Sequence, residues 1–457
     1  MNDIHETVAR QRACYETGKN HPVADRKEAL ARLRREILAR EKEIAAALQK
    51  DLGKSASEAY MCETGMVLAE LSYVMRHMAR WAKRKRVLSP LAQFPSKSFT
   101  VQNPYGVTLV MSPWNYPFML TMDPLIGALC AGNCCVLKPS AYAPATAEVI
   151  GKIAEACFAP EHVAVVQGGR AENQALLDER FDYIFFTGGM TVGREVMRKA
   201  AEHLTPVSLE LGGKSLCVVD KTAKLDLAAR RIAFGKLLNC GQTCVAPDYV
   251  LIDRAVKDEF IALLKKHLAA MIGDQALAND AYVHMISKRH YDRVMGLIDP
   301  DKAVCGGKGD ETTLRIEPTV MDNVTAEDPV MQEEIFGPVL PVIAVDDMDE
   351  AVRFVNSRPH PLALYLFTED RAVQRRFLDG GPFGGGCIND VIIHLATSRM
   401  GFGGVGESGM GSYHGKKSFE TFSHEKSIVK KSTLIDLPMR YMPYTRWKDA
   451  LIHMFLK

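Results

Sequence analysis

Two cysteines and a glutamate have the residue types and surroundings that nucleophilic and general-base catalysis need. Cys240 and Cys244 lie in Asn239-Cys240-Gly241-Gln242-Thr243-Cys244, and a glycine-containing loop after a helix suits a nucleophilic thiolate. Glu210 stands among apolar residues before a glycine pair, and such surroundings can raise the pKa of a carboxyl group so that it acts as a base. The residues alone do not choose between the two cysteines. Each cysteine could instead be an inert core residue, as most cysteines are. Glu210 could instead be a surface glutamate at a domain hinge, with no chemical role.

Other polar residues follow predicted strands, at whose carboxyl ends ligands gather in parallel sheets. Asn115 lies in Pro113-Trp114-Asn115-Tyr116-Pro117, and its amide could donate to a developing oxyanion. Lys138 ends another strand and could reach a ribose or a phosphate. The turn Thr187-Gly188-Gly189-Met190-Thr191-Val192-Gly193 opens a helix, where backbone N–H groups can bind a pyrophosphate. Its glycines do not form a GxGxxG fingerprint, and each of these features also fits a structural turn or a solvated lysine.

The elements that must position these residues alternate in type along the chain. Between Gly106 and Glu210 apolar strands alternate with helices, and a second alternation begins after Gly213. Apolar runs without polar alternation are typical of parallel strands covered on both faces. The pattern therefore predicts an α/β protein with two parallel sheets, preceded by helices at about 25–52 and 57–81 and an extended arm at 89–100.

Composition narrows the class of protein. The chain has 457 residues, with 57 Lys and Arg against 55 Asp and Glu, and this balance argues against nucleic acid or an anionic membrane as the main partner. Its 11 cysteines are scattered and form no CxxC pair, which predicts free thiols and a cytoplasmic location. No His and Cys cluster has metal-ligand spacing, so the sequence gives no support to a metal site.

Together these motifs resemble the aldehyde dehydrogenase superfamily, and most closely its class 3 branch, which includes the fatty aldehyde dehydrogenases. The segments that carry the resemblance are spread over nearly the whole chain. They are Pro113-Trp114-Asn115-Tyr116-Pro117-Phe118, Leu137-Lys138-Pro139-Ser140, Phe186 to Gly193, Leu209-Glu210-Leu211-Gly212-Gly213-Lys214, Gly241-Gln242-Thr243-Cys244, Glu334-Ile335-Phe336-Gly337-Pro338, Asn389-Asp390-Val391-Ile392-Ile393-His394, Phe402-Gly403-Gly404-Val405-Gly406 and Gly411 to Phe419.

The resemblance implies a role for each site residue. Cys244 would attack the aldehyde carbonyl to give a thiohemiacetal, and then a thioester once hydride has left. The Asn115 side chain and the Cys244 backbone N–H would hold the oxyanion, and Glu210 would activate the water that hydrolyses the thioester. The implied cofactor-binding residues are Trp114, Lys138, Gly188, Gly189, Met190, Thr191, Val192, Gly193, Glu334 and Phe336.

The resemblance also implies a fold of two Rossmann-type α/β domains with a small oligomerisation arm, in a homodimer. The NAD(P)-binding domain would cover residues 1–84 and 105–212, and the catalytic domain residues 213–407. The arm and bridging segments would be 85–104 and 408–433. A helical tail at 434–457 is too short and too charged for a transmembrane anchor, and we expect it to pack on the protein.

The implied activity is NAD(P)-dependent oxidation of an aldehyde to the carboxylic acid, with medium- or long-chain aliphatic or aromatic aldehydes favoured. Ala141 stands where many relatives have a glutamate beside the adenosine ribose, so NAD and NADP both stay open as cofactors. One alternative is an acylating enzyme that releases the thioester to coenzyme A, against which Glu210 argues. Others are a cofactor-free cysteine esterase, which would need a histidine base for Cys244, and an inactive relative, against which the intact Cys244, Glu210 and Asn115 argue.

Overall fold

The computed structural model describes residues 2–273 and 275–456. A helical layer comes first, with a π-helix at Tyr60–Thr64, and two arm strands follow it. These elements are α1 (Asn2–Glu16), α2 (Val23–Ala39), α3 (Glu41–Leu52), α4 (Ala56–Ala59), α5 (Gly65–Trp81), β1 (Lys85–Val87) and β2 (Ser96–Pro104).

The first alternation of strands and helices follows the arm strands. It consists of β3 (Val107–Met111), α6 (Met119–Ala131), β4 (Cys134–Lys138), α7 (Pro144–Cys157), β5 (Val163–Val165), α8 (Arg170–Leu177), β6 (Tyr183–Thr187), α9 (Met190–Glu202) and β7 (Val207–Glu210).

The second alternation and the C-terminal elements complete the chain. They are β8 (Leu216–Val219), α10 (Leu225–Leu237), β9 (Tyr249–Asp253), α11 (Lys257–Ile272), α12 (Lys288–Met295), β10 (Ala303–Cys305), β11 (Gly309–Asp310), β12 (Arg315–Ile316), β13 (Thr319–Met321), β14 (Val339–Val345), α13 (Met348–Asn356), β15 (Ala363–Phe367), α14 (Arg371–Asp379), β16 (Gly385–Ile388), β17 (Gly409–Met410), α15 (Lys416–Thr421), β18 (Ser423–Lys431) and α16 (Arg446–Phe455).

Two large sheets form the framework. The first has the strand order β17-β7-β6-β3-β4-β5, in which only β17 runs antiparallel to its neighbour. The second has the order β10-β13-β14-β9-β8-β15-β16, with an antiparallel pair only at β10 and β13. The predicted fold class, two parallel α/β domains, is confirmed.

Burial explains why the strands of the first domain are apolar at every position. Every residue of β3, β4 and β6 is buried, and so is every residue of α6, which lies between the sheet and the N-terminal helices. A strand covered on both faces gains stability from apolar side chains on both.

The C-terminal segment 408–433 is shared between the arm sheet and the first domain. Strands β1, β2 and β18 form a separate antiparallel sheet. Within the predicted bridging segment 408–433, however, β17 completes the first sheet, and α15 packs on α5 and α6. That part of the segment therefore belongs to the first domain, because Gly409 and Met410 pair with Glu210 and Leu209.

The tail is helical, but the prediction that it packs on the protein is wrong for the single chain. No described residue of α16 is buried, and the apolar side chains of Trp447, Met454 and Leu456 are exposed. Across the described residues, no helix has both the length and the apolar composition that crossing a bilayer requires.

Candidate active site

The predicted site residues come from loops of both domains that meet at one cleft of about 640 Å³. The loop after β3 brings Asn115, the end of β7 brings Glu210, and the loop before β9 brings Cys244. In the first sheet these are carboxyl ends of parallel strands, the edge at which open α/β sheets bind ligands. The cleft is therefore lined by a thiol, an amide and a carboxyl group together.

The loop that carries Cys244 has a shape set by three successive left-handed residues. Asn239, Cys240 and Gly241 have φ values of 51°, 55° and 69°. A Cβ atom on Gly241 would lie 2.2 Å from the Gly337 carbonyl oxygen, so no larger residue fits there. This sharp turn sends the two cysteines of the loop in different directions.

Cys244 and Cys240 consequently differ in environment. Cys244 is half-buried and lines the cleft, whereas Cys240 is fully buried and its thiol donates to the Tyr282 hydroxyl at 3.3 Å. Burial raises the pKa of both thiols, that of Cys240 to about 12, and at Cys244 the Glu334 and Glu210 carboxyls add to the effect of burial. The geometry therefore separates two residues that the sequence left equivalent.

Asn115 lies beside the loop of Cys244. Its Nδ2 donates to the Gln242 carbonyl oxygen at 3.1 Å, and no described residue donates to its Oδ1. The side chain is buried and lines the cleft. A side-chain amide fixed in this way, with one N–H still available, can donate to an oxygen atom that becomes charged near the thiol.

Glu210 is buried at the last position of β7. No described residue forms a hydrogen bond with either of its carboxyl oxygens, and burial holds its pKa well above the ordinary value. A Cβ on Gly403 would lie 3.1 Å from Glu210 Oε1, so the glycine-rich segment after residue 400 covers the carboxyl group closely. Burial therefore disfavours ionisation of this carboxyl group, and its carboxylate form is a stronger base than that of an exposed glutamate.

Glu334 and Phe336 are on a loop that reaches the cleft from the second domain. Burial raises the pKa of Glu334 to about 8, with a further contribution from Asp248. A Cβ on Gly212 would lie 2.0 Å from Glu334 Oε2, so the glycine lets the carboxyl group approach the backbone. The Phe336 ring meets the Trp114 ring edge-on at 5.4 Å.

The turn after β6 has the features of a site for an anionic group. Helix α9 has no side-chain hydrogen bond at its N-cap, Gly189, and Gly188, Gly189, Met190 and Thr191 line the cleft. Free N–H groups at a helix N-terminus bind phosphates. The buried hydroxyl of Thr187 and carboxyl oxygen Oε1 of Glu334 have no partner among the described residues. These unpaired polar atoms and the open helix end fit a dinucleotide.

Three predicted cofactor residues do not line this cleft. Lys138 is buried, and its Nζ donates to the carbonyl oxygens of Pro139 and Gly168 at 2.9 and 2.7 Å. Val192 is exposed on the outer face of α9, and Gly193 is buried against the sheet. The other ten predicted site residues line it together.

Sequence reasoning missed the residues that hold the Glu334 loop. Lys214 Nζ binds the Asp248 carboxylate at 2.5 Å and donates to the Glu333 carbonyl oxygen at 2.8 Å. Arg293 donates to the carbonyl oxygens of Glu334 and Ile335 at 3.2 and 2.6 Å. Lys214 ends one of the recognised motifs and Asp248 lies four residues after another, so the sequence gives some signal for both, whereas nothing local to Arg293 in the sequence marks it.

No group of three or more His, Cys, Asp or Glu side chains within residues 2–273 and 275–456 is arranged to hold a metal ion. Each of the 11 cysteines is a free thiol.

Comparisons with known proteins agree on one family. The model of the aldehyde dehydrogenase family matches residues 1–428. The 4,4'-diaponeurosporen-aldehyde dehydrogenase of Staphylococcus aureus is 43% identical, over 100% of both chains. The dimeric NADP-preferring aldehyde dehydrogenase of Canis lupus familiaris is also 43% identical, over 97% of this chain and 98% of that one.

Solved structures give the same result. The substrate-bound state of Staphylococcus aureus AldH has a TM-score of 0.98 at 43% identity and covers 100% of both chains. The indole-3-acetaldehyde dehydrogenase AldA of P. syringae, in complex with NAD+ and IAA, has a TM-score of 0.86 at 26% identity, over 94% of this chain and 89% of that one. This chain therefore belongs to the aldehyde dehydrogenase family, and it is an oxidoreductase that uses NAD or NADP to act on the aldehyde group.

Proposed function

We propose that this enzyme oxidises an apolar aldehyde to its carboxylic acid through a covalent intermediate on Cys244. The observation that carries the proposal is the convergence of the Cys244 thiol, the Asn115 amide and the Glu210 carboxyl group on one cleft. The thiolate forms a bond to the aldehyde carbon, and the carbonyl electron pair moves onto oxygen. Loss of hydride then leaves a thioester, which water cleaves to the acid and the free thiol.

The chain's own groups act at three points of this sequence. The remaining N–H of Asn115 Nδ2 and the backbone N–H of Cys244 stabilise the oxyanion. Glu210 accepts a proton from the water that attacks the thioester, and burial raises its pKa, which makes its carboxylate a stronger base. A side chain cannot accept the hydride, so a cofactor has to do so.

The cofactor would lie along the cleft from the turn after β6 to the Glu334 loop. The N–H groups at the start of α9 would hold its pyrophosphate, with Gly188 to Thr191 around it. Glu334 and Phe336 would position the nicotinamide ribose and ring. When bound, NAD or NADP supplies the hydride acceptor.

An aromatic cluster lies behind the thiol. The Tyr365 hydroxyl donates to the Val245 carbonyl oxygen at 2.6 Å, next to Cys244, and the rings of His394, Phe402 and Tyr413 continue from it with neighbouring ring centres 5.7 to 5.9 Å apart. These rings do not line the cleft, and they support the segment of Cys244 from behind. We favour long aliphatic or aromatic aldehydes over acetaldehyde as substrates, in keeping with one similar relative, which is named for 4,4'-diaponeurosporen-aldehyde.

Two cysteine variants test the proposal. Cys244→Ala should abolish both the aldehyde-dependent formation of reduced cofactor and any hydrolysis of activated esters, whereas Cys240→Ala should retain most of both. The assay uses a series of straight-chain aldehydes and benzaldehyde with NAD, in the absence of coenzyme A. The assignment is wrong if the two variants behave the other way round. A strict requirement for coenzyme A would instead indicate an acylating enzyme.

We also propose a homodimer, assembled through the arm sheet of β1, β2 and β18. A relative described as dimeric is 43% identical. The free thiols support a cytoplasmic location, which cell fractionation tests.

A further inference from the structure

A fully buried ion pair lies behind the segment that carries Asn115. The Lys54 and Glu63 side chains are 0% exposed, and Nζ lies 2.5 Å from Oε1. Removing two charges from water costs several kcal/mol each, and an apolar pair of similar volume is often as stable or more stable. Stability alone is therefore a poor explanation for the pair, and its contacts point to another use.

The pair holds both ends of one short segment. Lys54 Nζ donates to the backbone carbonyl oxygen of Asn115 at 2.9 Å. Glu63 Oε2 accepts hydrogen bonds from the backbone N–H groups of Phe118 and Met119 at 2.8 and 3.0 Å, where α6 begins. A carboxylate at a helix N-terminus interacts favourably with the free N–H groups there. The loop between these contacts cannot shift without breaking a charged hydrogen bond.

The same backbone oxygen also joins the loop of the thiol. Asn239 Nδ2 donates to the carbonyl oxygens of Asn115 and Gln242, both at 2.9 Å. The backbone N–H of Asn239 donates in turn to Glu58 Oε1 at 2.8 Å. Residues of the N-terminal helical layer thus set the distance between the amide of Asn115 and the loop that leads to Cys244.

Glu63 occupies an unusual backbone position. It lies in the π-helix Tyr60–Thr64, in which Cys62, Glu63 and Thr64 are all buried. A π-helical turn contains an extra residue, and π-bulges are frequent at functional sites. Successive residues of an α-helix are about 100° apart around the axis, so a change of one residue redirects a side chain completely. The π-helix therefore directs Glu63 towards α6.

We propose that Lys54 and Glu63 are positioning residues that fix Asn115 where it can stabilise the oxyanion. The inference rests on the proposed role of Asn115, and neither residue touches the reacting atoms. Lys54→Met keeps the apolar part of the side chain and removes the ammonium group. The burst of reduced cofactor should slow by about a hundredfold, the effect expected of a misplaced reacting group, while the KM for NAD stays within about threefold.

Two further variants separate positioning from loss of fold. Lys54→Met with Glu63→Gln leaves no unpaired charge and should show the same slow burst with a melting temperature closer to that of the wild type. Lys257→Met removes a half-buried ion pair to Asp322, with Nζ–O distances of 2.9 Å, and neither residue lines the cleft. It should leave the burst rate unchanged. A wild-type burst rate in the neutral double variant would overturn the inference.

A double-mutant cycle with Asn115 gives the decisive comparison. If Lys54 acts through Asn115, then adding Lys54→Met to Asn115→Ala should change the burst rate by less than about twofold. Penalties that multiply would show that Lys54 acts elsewhere, and the inference would fail. If Asn115→Ala alone slows the burst by less than about tenfold, the proposed oxyanion role itself is wrong. The cycle thus distinguishes failure of the inference from failure of the proposed function.

Discussion

Three acidic side chains meet in the cleft, and burial favours the uncharged form of each. Burial raises the pKa of Cys244 and of Glu210, and that of Glu334 to about 8. The Glu334 and Glu210 carboxylates add to the rise in the pKa of Cys244, so ionisation of either carboxyl group makes the thiol harder to ionise. The oxidised nicotinamide ring carries a positive charge, and its binding would favour ionisation of the thiol beside it.

Glu210→Gln should separate acylation from deacylation. The variant keeps the shape of the side chain and loses the base, so a burst of reduced cofactor should remain and turnover should then stall at the thioester. In the wild type the deacylation rate should rise with pH, because the protonated carboxyl group cannot act as a base and its pKa lies well above the ordinary value.

Stopped-flow absorbance at several pH values measures both phases. The variant should lose the dependence on pH in the slow phase. Loss of the burst itself would mean that Glu210 acts earlier, for example on the thiol.

Most of the site could be predicted from residue types within motifs, and the limits have physical reasons. Cys240 and Cys244 share one loop, and only the left-handed turn between them shows which thiol faces the cleft. Arg293 and Lys54 could not be found, because each acts through backbone carbonyl groups that are remote in sequence. Every residue has a backbone carbonyl group, so the residue type of the partner does not reveal such a contact.

We propose that the adenosine end of the cofactor lies at the connection from β4 to α7. Lys138 at the end of β4 donates to the Gly168 carbonyl oxygen, and the Glu172 carboxylate partly offsets the lowering of its pKa by burial. Ala141, in the turn before α7, is exposed. An alanine neither accepts hydrogen bonds from a ribose diol nor repels a 2′-phosphate, so this turn should accept both cofactors.

Ala141→Glu should shift the ratio of kcat/KM for NAD to that for NADP towards NAD. The added carboxylate would repel the 2′-phosphate, and juxtaposed like charges cost several kcal/mol in specificity. Steady-state kinetics with both cofactors measures the ratio. Ala141→Gln has a similar size without the charge and should leave the ratio nearly unchanged. A wild type that does not turn over NADP would contradict the argument and would direct attention to Glu172.

Elements differed in how well the sequence predicted them. The sequence indicates the strands buried on both faces, because burial on both faces imposes an apolar pattern. The two-residue strand β17 lies in a glycine-rich segment with no such pattern, and only its partner β7 defines it. The sequence predicts one continuous helix at about 57–81 and not the π-helix within it, because a π-helix differs from an α-helix in register and not in composition.

At the scale of the whole molecule, the arm sheet leaves apolar side chains in water. Leu88 is 94% exposed, Leu91 and Phe94 are also exposed, and Val429 lies exposed on β18. Leu88, Leu91 and Phe94 lie in the connection between β1 and β2, and exposed apolar side chains on one sheet and its connection are typical of an interface. These residues support the proposal that the arm binds a second copy of the chain.

Leu91→Glu with Phe94→Glu should convert the dimer into a monomer at micromolar concentration. Both substitutions would bury charge in the proposed interface, where no partner compensates for lost hydration. Light scattering after size-exclusion chromatography measures the mass. Leu204→Glu changes an apolar residue that is 90% exposed outside the arm, and it should leave the mass unchanged. A wild-type chain that elutes as a monomer would refute the proposed dimer.

The pairing of Gly409 with Glu210 has a consequence for synthesis on the ribosome. The first domain emerges first, yet the strand that closes its sheet follows the entire second sheet in the chain. Until then the edge of β7 has free N–H and C=O groups, and such an edge can pair with another chain. A nascent chain interrupted before Gly409 would expose both this edge and the carboxyl group of Glu210. Complete closure of the first sheet therefore has to wait until Gly409 and Met410 have been synthesised and pair with β7.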